Sequence, residues 1–190
     1  MIVTGEQEGA IRTGPVPSIR TERLDLVGWE PRHFEAFASM HADPETMKRI
    51  GDGKPLDRVG AWLHLAMLVG HWALRGYGVW ALEARATGEL AGRAGLLHPE
   101  GWSDPELSWM LRPELRGRGL ATEAARAVLR FAWEELGFDR LMSLVRPENA
   151  ASRHLAAKLG GTLDDTIEFM GKPMFVFRYT RTREPPRRED

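Results

Sequence analysis

The sequence predicts an α/β fold in which one mixed β-sheet is flanked by helices, and three observations support this prediction. Apolar runs with strand character recur along the chain. Two helical patterns separate strands in the second half, which favours strand–helix–strand crossovers between parallel neighbours. A length of 190 residues, with 43% hydrophobic and 28% charged residues, is typical of one globular domain.

The composition also argues against several classes of function. The 26 basic and 27 acidic residues leave a formal net charge of -1, so no overall field recruits nucleic acid or an acidic membrane. There is no cysteine, which excludes disulfides, thiolate metal ligands and a cysteine nucleophile. No apolar run approaches the length of about 18 residues that a membrane span needs, and the start does not resemble a secretory signal. We therefore expect a cytoplasmic protein without a membrane or nucleic-acid partner.

The two ends of the chain lack any hydrophobic period. Residues 1–18 and 181–190 mix charged residues with Gly or Pro, and we expect both segments to be mobile. The folded domain is accordingly predicted to span residues 19–180.

The domain is predicted to begin with one strand and three helices. RLDLVGWE (23–30) alternates apolar and polar positions like a half-buried strand, and Pro31 then stands at a favourable first helical position. The dipeptide Asp-Pro at 43–44 repeats that start for a short helix ending near Gly51. A longer helix with one apolar face follows from about Leu56 to Leu74.

Three strands are predicted next, and the strongest helical pattern of the chain follows them. YGVWALEA (77–84) and LAGRAGLLH (90–98) flank the turn RATGE and form a predicted hairpin, and ELSWMLR (106–112) is a further strand. In the segment LRGRGLATEAARAVLRFAWEELG (115–137), apolar residues then recur at helical spacing up to Gly137.

The remaining elements are a strand, a short helix and a final hairpin. RLMSLVR (140–146) is an apolar strand, and ENAASRHLAAKLGG (148–161) is a short helix between an Asn cap and paired glycines. DDTIEFM (164–170) and MFVFRYT (174–180) alternate on either side of the turn GKP.

The start of the long helix is the first candidate site. Two glycines and two arginines precede it, and helix N-termini offer unpaired N–H groups that bind phosphate. The residue types alone leave a phosphate site and a plain loop equally open. A dinucleotide fingerprint would need a glycine at Thr122, and a nucleotide P-loop would need Ser or Thr at Pro173, after Gly171 and Lys172. Neither motif is therefore present.

A third phosphate pattern, Arg/Gln-x-x-Gly-x-Gly/Ala, is satisfied by Arg116, Gly119 and Ala121. With it, the sequence resembles the GCN5-related N-acetyltransferases (GNAT), and the order of elements matches that family. TERLDLVGWEP, ELSWMLRPELRGRGLATEA and RPENAASRHLAAKLGG are similar to signature segments of its ribosomal-protein N-terminal acetyltransferase-like (RimJ/RimL-like) branch. The resemblance runs from about Ile19 to Thr180. It implies the GNAT fold, a single mixed, mostly antiparallel sheet of about seven strands whose splayed central strands bind acyl-CoA.

The resemblance also implies that acetyl-CoA is the co-substrate. Its pyrophosphate is expected on the backbone amides of the glycine-rich helix start, and its pantetheine arm between the two splayed strands. An N–H near Leu111 is expected to meet the acetyl carbonyl. The implied coenzyme-binding residues are Met110, Leu111, Arg116, Gly117, Arg118, Gly119, Leu120, Ala121, Thr122, Asn149 and Ser152.

Direct transfer to an amine needs a base, because an amine is mostly protonated at neutral pH. Glu106 resembles the catalytic glutamate of the branch and is the predicted base, acting directly or through water. Glu100, Asp104 and Glu114 are nearby competitors for this role.

The departing thiolate needs a proton or a hydrogen bond, which many family members supply from a tyrosine in the helix after the pyrophosphate helix. This chain has no tyrosine there. Asn149 and Ser152 resemble residues of the branch that approach the sulfur, so Ser152 is the second predicted catalytic residue. Helix capping is the alternative role for both.

The acceptor is predicted only as a primary amine, on a protein N-terminus or on a small molecule. Trp109 and Phe169 are the candidate acceptor-binding residues, with core packing as their alternative role. No paired metal-ligand spacing occurs, so no metal is implied. The final hairpin is a candidate interface for a homodimer. A non-catalytic acyl-CoA-binding sensor or interaction module of the same fold is the alternative function.

Overall fold

The computed structural model describes residues 14–181, and the predicted mobility of residues 1–18 and 181–190 concerns mainly positions outside this range. The strands are β1 (Ile19–Arg20), β2 (Leu24–Val27), β3 (Val79–Ala84), β4 (Leu90–Leu97), β5 (Glu106–Leu111), β6 (Arg140–Val145), β7 (Thr162–Phe169) and β8 (Lys172–Thr180). The helices are α1 (Phe34–Ala42), α2 (Pro44–Met47), α3 (Arg58–Arg75), α4 (Leu120–Glu134) and α5 (Ala150–Lys158).

The strands form one sheet in the order β1-β2-β3-β4-β5-β6-β8-β7, as the mixed, mostly antiparallel prediction requires. The short β1 brings the number of strands to eight. Within the described range, β5 and β6 form the one parallel pair, joined through α4. The expectation of parallel neighbours holds for this pair alone, because the final hairpin places β8 antiparallel between β6 and β7.

The local signals at the helix ends form as predicted. The Asp57 carboxylate accepts the N–H of Gly60 at 2.7 Å and begins α3, which ends at Gly76 in the left-handed conformation (φ 74°). Asn149 caps α5 through its contact with the N–H of Ser152 at 3.2 Å. These caps satisfy N–H groups that would otherwise lack an acceptor.

Three boundaries differ from the sequence prediction. A 3-10 turn, Pro31–His33, precedes α1, and α2 ends at Met47 instead of near Gly51. The final turn is not GKP but Met170–Gly171, where both residues have positive φ (52° and 70°). Such angles suit the two-residue hairpin turn that matches strand twist.

Two apolar cores cover the two faces of the sheet. On one face, α1 and α3 pack around Phe37, Leu68 and Met110, while on the other face α4 packs over Leu107 and Leu111. Successive side chains of a strand point to opposite faces. Glu106, Ser108 and Met110 of β5 therefore face the α1–α3 layer, and the residues between them face α4.

Candidate functional site

A cavity of about 690 Å³ lies where β5 and β6 separate. The two strands share a single register pair, Glu106 with Met142, and the N–H of Met142 donates to the carbonyl of Pro105 at 3.0 Å. Beyond this point the strands diverge, and the gap between them opens towards the N-termini of α4 and α5. The structure thus contains the splayed pair of strands that the sequence predicts.

The start of α4 forms a cradle of free backbone donors at this gap. Gly117 and Gly119 are both left-handed (φ 75° and 80°), and Gly119 caps the helix without any side-chain hydrogen bond. Within residues 14–181, the N–H groups of Gly117 to Thr122 have no acceptor. Together with the positive end of the helix dipole, these donors can hold an anion such as a pyrophosphate.

The cradle is anchored to the first strands by an ion pair. Arg23 donates from its Nε to Glu123 in the first turn of α4 at 2.7 Å, and from its Nη1 to the carbonyl of Arg118 at 2.9 Å. This contact holds the loop while leaving the loop N–H groups free. Arg118 is exposed and does not line the cavity, whereas all the other predicted coenzyme-binding residues line it.

The guanidinium of Arg116 lines the cavity and joins α2 to the loop. Its Nη2 donates to the Thr46 hydroxyl at 2.6 Å, and its Nε donates to the carbonyl of Leu111 at 3.2 Å. Arg116 is therefore held in place by two protein contacts before any ligand binds.

Glu106 lies at the point where β5 and β6 begin to separate. Its carboxylate accepts the N–H of Leu144 at 3.4 Å. Burial raises the pKa of Glu106 to about 7, against the opposing effects of the Leu144 hydrogen bond and the Arg93 charge. A carboxylate with this pKa is suited to proton transfer near neutral pH.

The three competing carboxylates lie outside the cavity lining. Asp104 is buried and pairs with Arg178 and with Arg140, the latter at 3.2 Å. Glu100 is exposed and pairs with Arg75, and Glu114 pairs with Arg112. Of the four candidates, Glu106 alone faces the site.

The α5 side of the cavity carries Asn149 and Ser152, both of which line it. The Oδ1 atom of Asn149 accepts the N–H of Ser152, so the capping role that the sequence left open is present. Since capping uses only one oxygen, the amide donors of Asn149 remain available to a ligand.

Sequence reasoning missed Ser143 and Tyr179. The Ser143 hydroxyl lines the cavity, donates to the carbonyl of Leu107 at 2.6 Å and accepts from the Tyr179 hydroxyl at 3.1 Å. Burial raises the pKa of Tyr179 to about 12, so this buried phenol stays protonated. No local motif marks either residue, since the contact depends on the pairing of β6 with β8.

The predicted acceptor residues occupy different parts of the cavity. Phe169 lines it and packs edge-on against Trp102 with 5.7 Å between ring centroids. Trp109 also lines it, but from the α4 face of β5, opposite to the face of Glu106. The alternation of β5 therefore places Trp109 beside the coenzyme cradle more than beside the base.

Arg93, in the middle of β4, was also missed. It is buried, with 4% of its surface exposed, and it lines the cavity on the same face as Glu106. His64 of α3 lines the same region, and its ring packs against the buried His41 with 4.9 Å between centroids. The sequence signal for Arg93 was a single charged residue within an otherwise apolar strand pattern.

Two other kinds of site are absent from residues 14–181. No group of three or more His, Cys, Asp or Glu side chains in this range is placed to hold a metal ion. No helix in this range combines the length and apolar character needed to cross a membrane.

Comparisons with known proteins agree with this geometry. The family model described as an acetyltransferase (GNAT) domain matches residues 23–162. The chain is 31% identical over 165 residues to the uncharacterized protein YkkB of Bacillus subtilis, covering 83% of this chain and 92% of that protein. It is 30% identical over 160 residues to the FsC-acetyl coenzyme A-N(2)-transacetylase of Aspergillus fumigatus, covering 80% of this chain and 67% of that protein.

Solved structures share the fold. An acetyltransferase from Agrobacterium tumefaciens is 32% identical with a TM-score of 0.78, covering 90% of this chain and 98% of that chain. The ribosomal L7/L12 alpha-N-protein acetyltransferase RimL, solved in complex with coenzyme A, is 15% identical with a TM-score of 0.72, covering 86% and 98%, and is similar in fold. The chain therefore belongs to the GNAT acetyltransferase family, and its activity is acetyl-CoA-dependent N-acetyl transfer.

Proposed function

We propose that the cavity between β5 and β6 is the active site, and that the acetyl group passes directly from acetyl-CoA to a primary amine in a ternary complex. One observation supports this most strongly. Glu106, a carboxylate with a pKa of about 7, shares a single cavity with the unbonded N–H groups at the start of α4.

The coenzyme fits the donors that the cavity presents. The N–H groups from Gly117 to Thr122 and the guanidinium of Arg116 would hold the pyrophosphate. Met110, Leu111 and the amide of Asn149 line the gap that would take the pantetheine arm. When bound, acetyl-CoA supplies the acetyl group as a thioester.

Glu106 acts as the general base in this proposal. It takes the proton that the amine nitrogen loses while the new N–C bond to the acetyl carbon forms. Ser152 donates a hydrogen bond to the sulfur, which leaves with the electron pair of the broken C–S bond. We assign no covalent acyl-enzyme, because the chain has no cysteine and the described residues give Ser152 no hydrogen-bonded base.

The acceptor enters from the α1–α3 side in this proposal, with Phe169 as part of the cavity wall, whereas Trp109 lies beside the coenzyme cradle on the other face of β5. RimL acts on ribosomal L7/L12 according to its name, which supports a protein N-terminus. The Aspergillus relative is named for acetyl transfer to FsC, which supports a different acceptor. A cytoplasmic location and a homodimer through β7 and β8 are further parts of the proposal.

Titration calorimetry with acetyl-CoA tests the coenzyme site. We expect binding to the parent and its loss in Gly119→Glu, because the new side chain places bulk and negative charge in the cradle. Gly137→Glu is the matched control, since Gly137 is also left-handed (φ 69°) but lies beyond the other end of α4. Absence of binding in the parent, or equal binding by Gly119→Glu, would contradict the assignment.

An amine panel separates transfer from simple binding. Acetylation of at least one amine, with loss of turnover in Glu106→Gln, supports the proposal. Binding of acetyl-CoA without transfer to any amine would instead favour the alternative of an acyl-CoA-binding sensor or interaction module.

A further inference from the structure

The acceptor side of the cavity contains a buried guanidinium that forms no ion pair with any residue of the described range, 14–181. Arg93 is 4% exposed and lines the cavity. Its Nη1 donates to the Ser108 hydroxyl at 3.3 Å, but its Nε has no acceptor. Within residues 14–181, no carboxylate oxygen lies within 4.0 Å of it. Buried charges in proteins are normally paired, so a group with these properties is suited to receive an anion from a ligand.

The register of β4 and β5 places this guanidinium beside the proposed base. Ser108 lies opposite Gly95, and Glu106 lies opposite Leu97, all on the face that carries Arg93. Same-face neighbours on a strand are about 6.8 Å apart. The guanidinium contacts Ser108, so it lies roughly one such step from Glu106.

The neighbouring side chains leave Arg93 as a cation, and the nearby charge of Glu106 favours that form without an ion pair between the two side chains. Burial lowers its pKa to about 10, which still leaves it protonated at neutral pH. Burial and the nearby Arg93 lower the pKa of His41 to about 4 and that of His64 to about 3, so both rings are neutral. The charge of Arg93 is therefore available to a ligand.

We propose that Arg93 binds a carboxylate of the acceptor, so that the substrate is an amino acid whose amine and carboxylate are separated by one or two carbons. This inference rests on the proposed function. A unit of that size, with a hydrogen bond at each end, spans the distance of about 7 Å between two same-face positions of a strand. The carboxylate would take the free guanidinium N–H groups while the amine faces Glu106.

The proposal distinguishes a free amino acid from a protein N-terminus. An N-terminal residue has no free α-carboxylate, because that carbon is part of a peptide bond, and among N-terminal residues an Asp side chain alone would place a carboxylate two carbons from the amine. A guanidinium is planar and can bind a carboxylate with two hydrogen bonds, which an amide cannot match.

Paired substrates test the proposal in the unaltered protein. A panel of amino acids and the corresponding C-terminal amides would be assayed for acetylation, with kcat and KM determined separately. We expect kcat/KM to be at least about tenfold higher for the acid than for its amide, mainly through KM. This comparison needs no variant and so does not depend on the folding of one.

Variants then assign the preference to Arg93. Arg93→Met should bring the ratio of kcat/KM for the acid to that for the amide close to one, while acetyl-CoA binding measured by calorimetry stays intact. Arg93→Lys should retain part of the preference for the acid. Arg130→Met is the matched control, because Arg130 is exposed on α4, and it should change neither. Thermal unfolding would establish that each variant folds.

Three outcomes would overturn the inference. Equal acetylation of acids and amides by the parent would overturn it while leaving amine acetylation, and hence the proposed function, in place. An acid preference that survives in a folded Arg93→Met variant, with only the pH profile displaced, would show that Arg93 is a counter-ion of Glu106. Binding of acetyl-CoA without acetylation of any amine would overturn the proposed function as well.

Discussion

Glu106 is half-buried in the cavity wall and has no cation within ion-pair distance among the described residues, yet a general base must be ionised to act. The fold resolves these demands by holding the pKa of its carboxyl at about 7, where both protonation states are populated at neutral pH. Burial is the main cause, and the Arg93 charge limits the rise. Activity and stability therefore depend on the same carboxyl group in opposite directions.

The stability of the protein should reflect this pKa. Because folding raises it from the ordinary 4.5 to about 7, the protonated form favours the folded state. That contribution is complete below about pH 4.5 and is lost as the pH rises through about 7, by up to about 3 kcal/mol. Denaturant unfolding of the parent and of Glu106→Gln should be measured from pH 4.5 to 8. The free energy of unfolding of Glu106→Gln, relative to that of the parent, should increase as the pH rises.

Glu100→Gln is the control for that series, because the Glu100 side chain is 97% exposed. Its free energy of unfolding should match that of the parent at every pH. A Glu106→Gln variant with the same pH slope as the parent would show that the carboxyl has an ordinary pKa in the folded protein.

Single residues differ in how far the sequence could identify them. Gly119 is recognisable because its conformation and the helix after it depend on adjacent residues. Arg93 and Ser143 are each one polar residue within an apolar strand, and their roles depend on which strand lies beside them. Pairing between distant segments is not encoded in a local pattern, so these residues became visible only in the fold.

At the scale of elements, the start of α5 combines two functions in one side chain. Asn149 accepts the N–H of Ser152 as a cap, and its amide donors remain free for the coenzyme. Asn149→Asp preserves the cap and removes the donors, whereas Asn149→Ala removes both. We expect Asn149→Asp to retain the thermal stability of the parent but to bind acetyl-CoA more weakly. We expect Asn149→Ala to bind acetyl-CoA more weakly and also to lose about 1 kcal/mol of stability.

Thermal unfolding and calorimetry on the same two variants check this prediction. If Asn149→Asp binds acetyl-CoA as tightly as the parent, then Asn149 is a helix cap and contributes nothing to the coenzyme site.

Elements were predicted best where their ends carry local signals. The Asp57 cap and the Gly76 terminator fix α3 within two residues of the predicted ends. The final turn was misplaced because GKP has the composition of a turn, while the register pairs Phe169 with Lys172 and leaves Met170 and Gly171 between the strands. Met170 is the non-glycine residue with positive φ in residues 14–181, which turn composition alone does not anticipate.

The whole molecule places the two halves of the proposed reaction on opposite faces of one sheet. The coenzyme cradle belongs to the α4 face, and Glu106 and Arg93 belong to the α1–α3 face. The gap between β5 and β6 connects them, because those strands share only one register pair. The alternating pattern of elements predicted the sheet, but the insertion of β8 beside β6 required knowledge of long-range pairing.

The pH dependence of kcat/KM for acetyl transfer, compared between the parent and Glu106→Gln, directly tests whether Glu106 is the base. The parent should gain activity through an apparent pKa near 7, as Glu106 ionises. Glu106→Gln should lose about 10²- to 10⁴-fold in turnover while its calorimetric affinity for acetyl-CoA stays unchanged. Full turnover by Glu106→Gln across the pH range would show that this carboxylate is not the base.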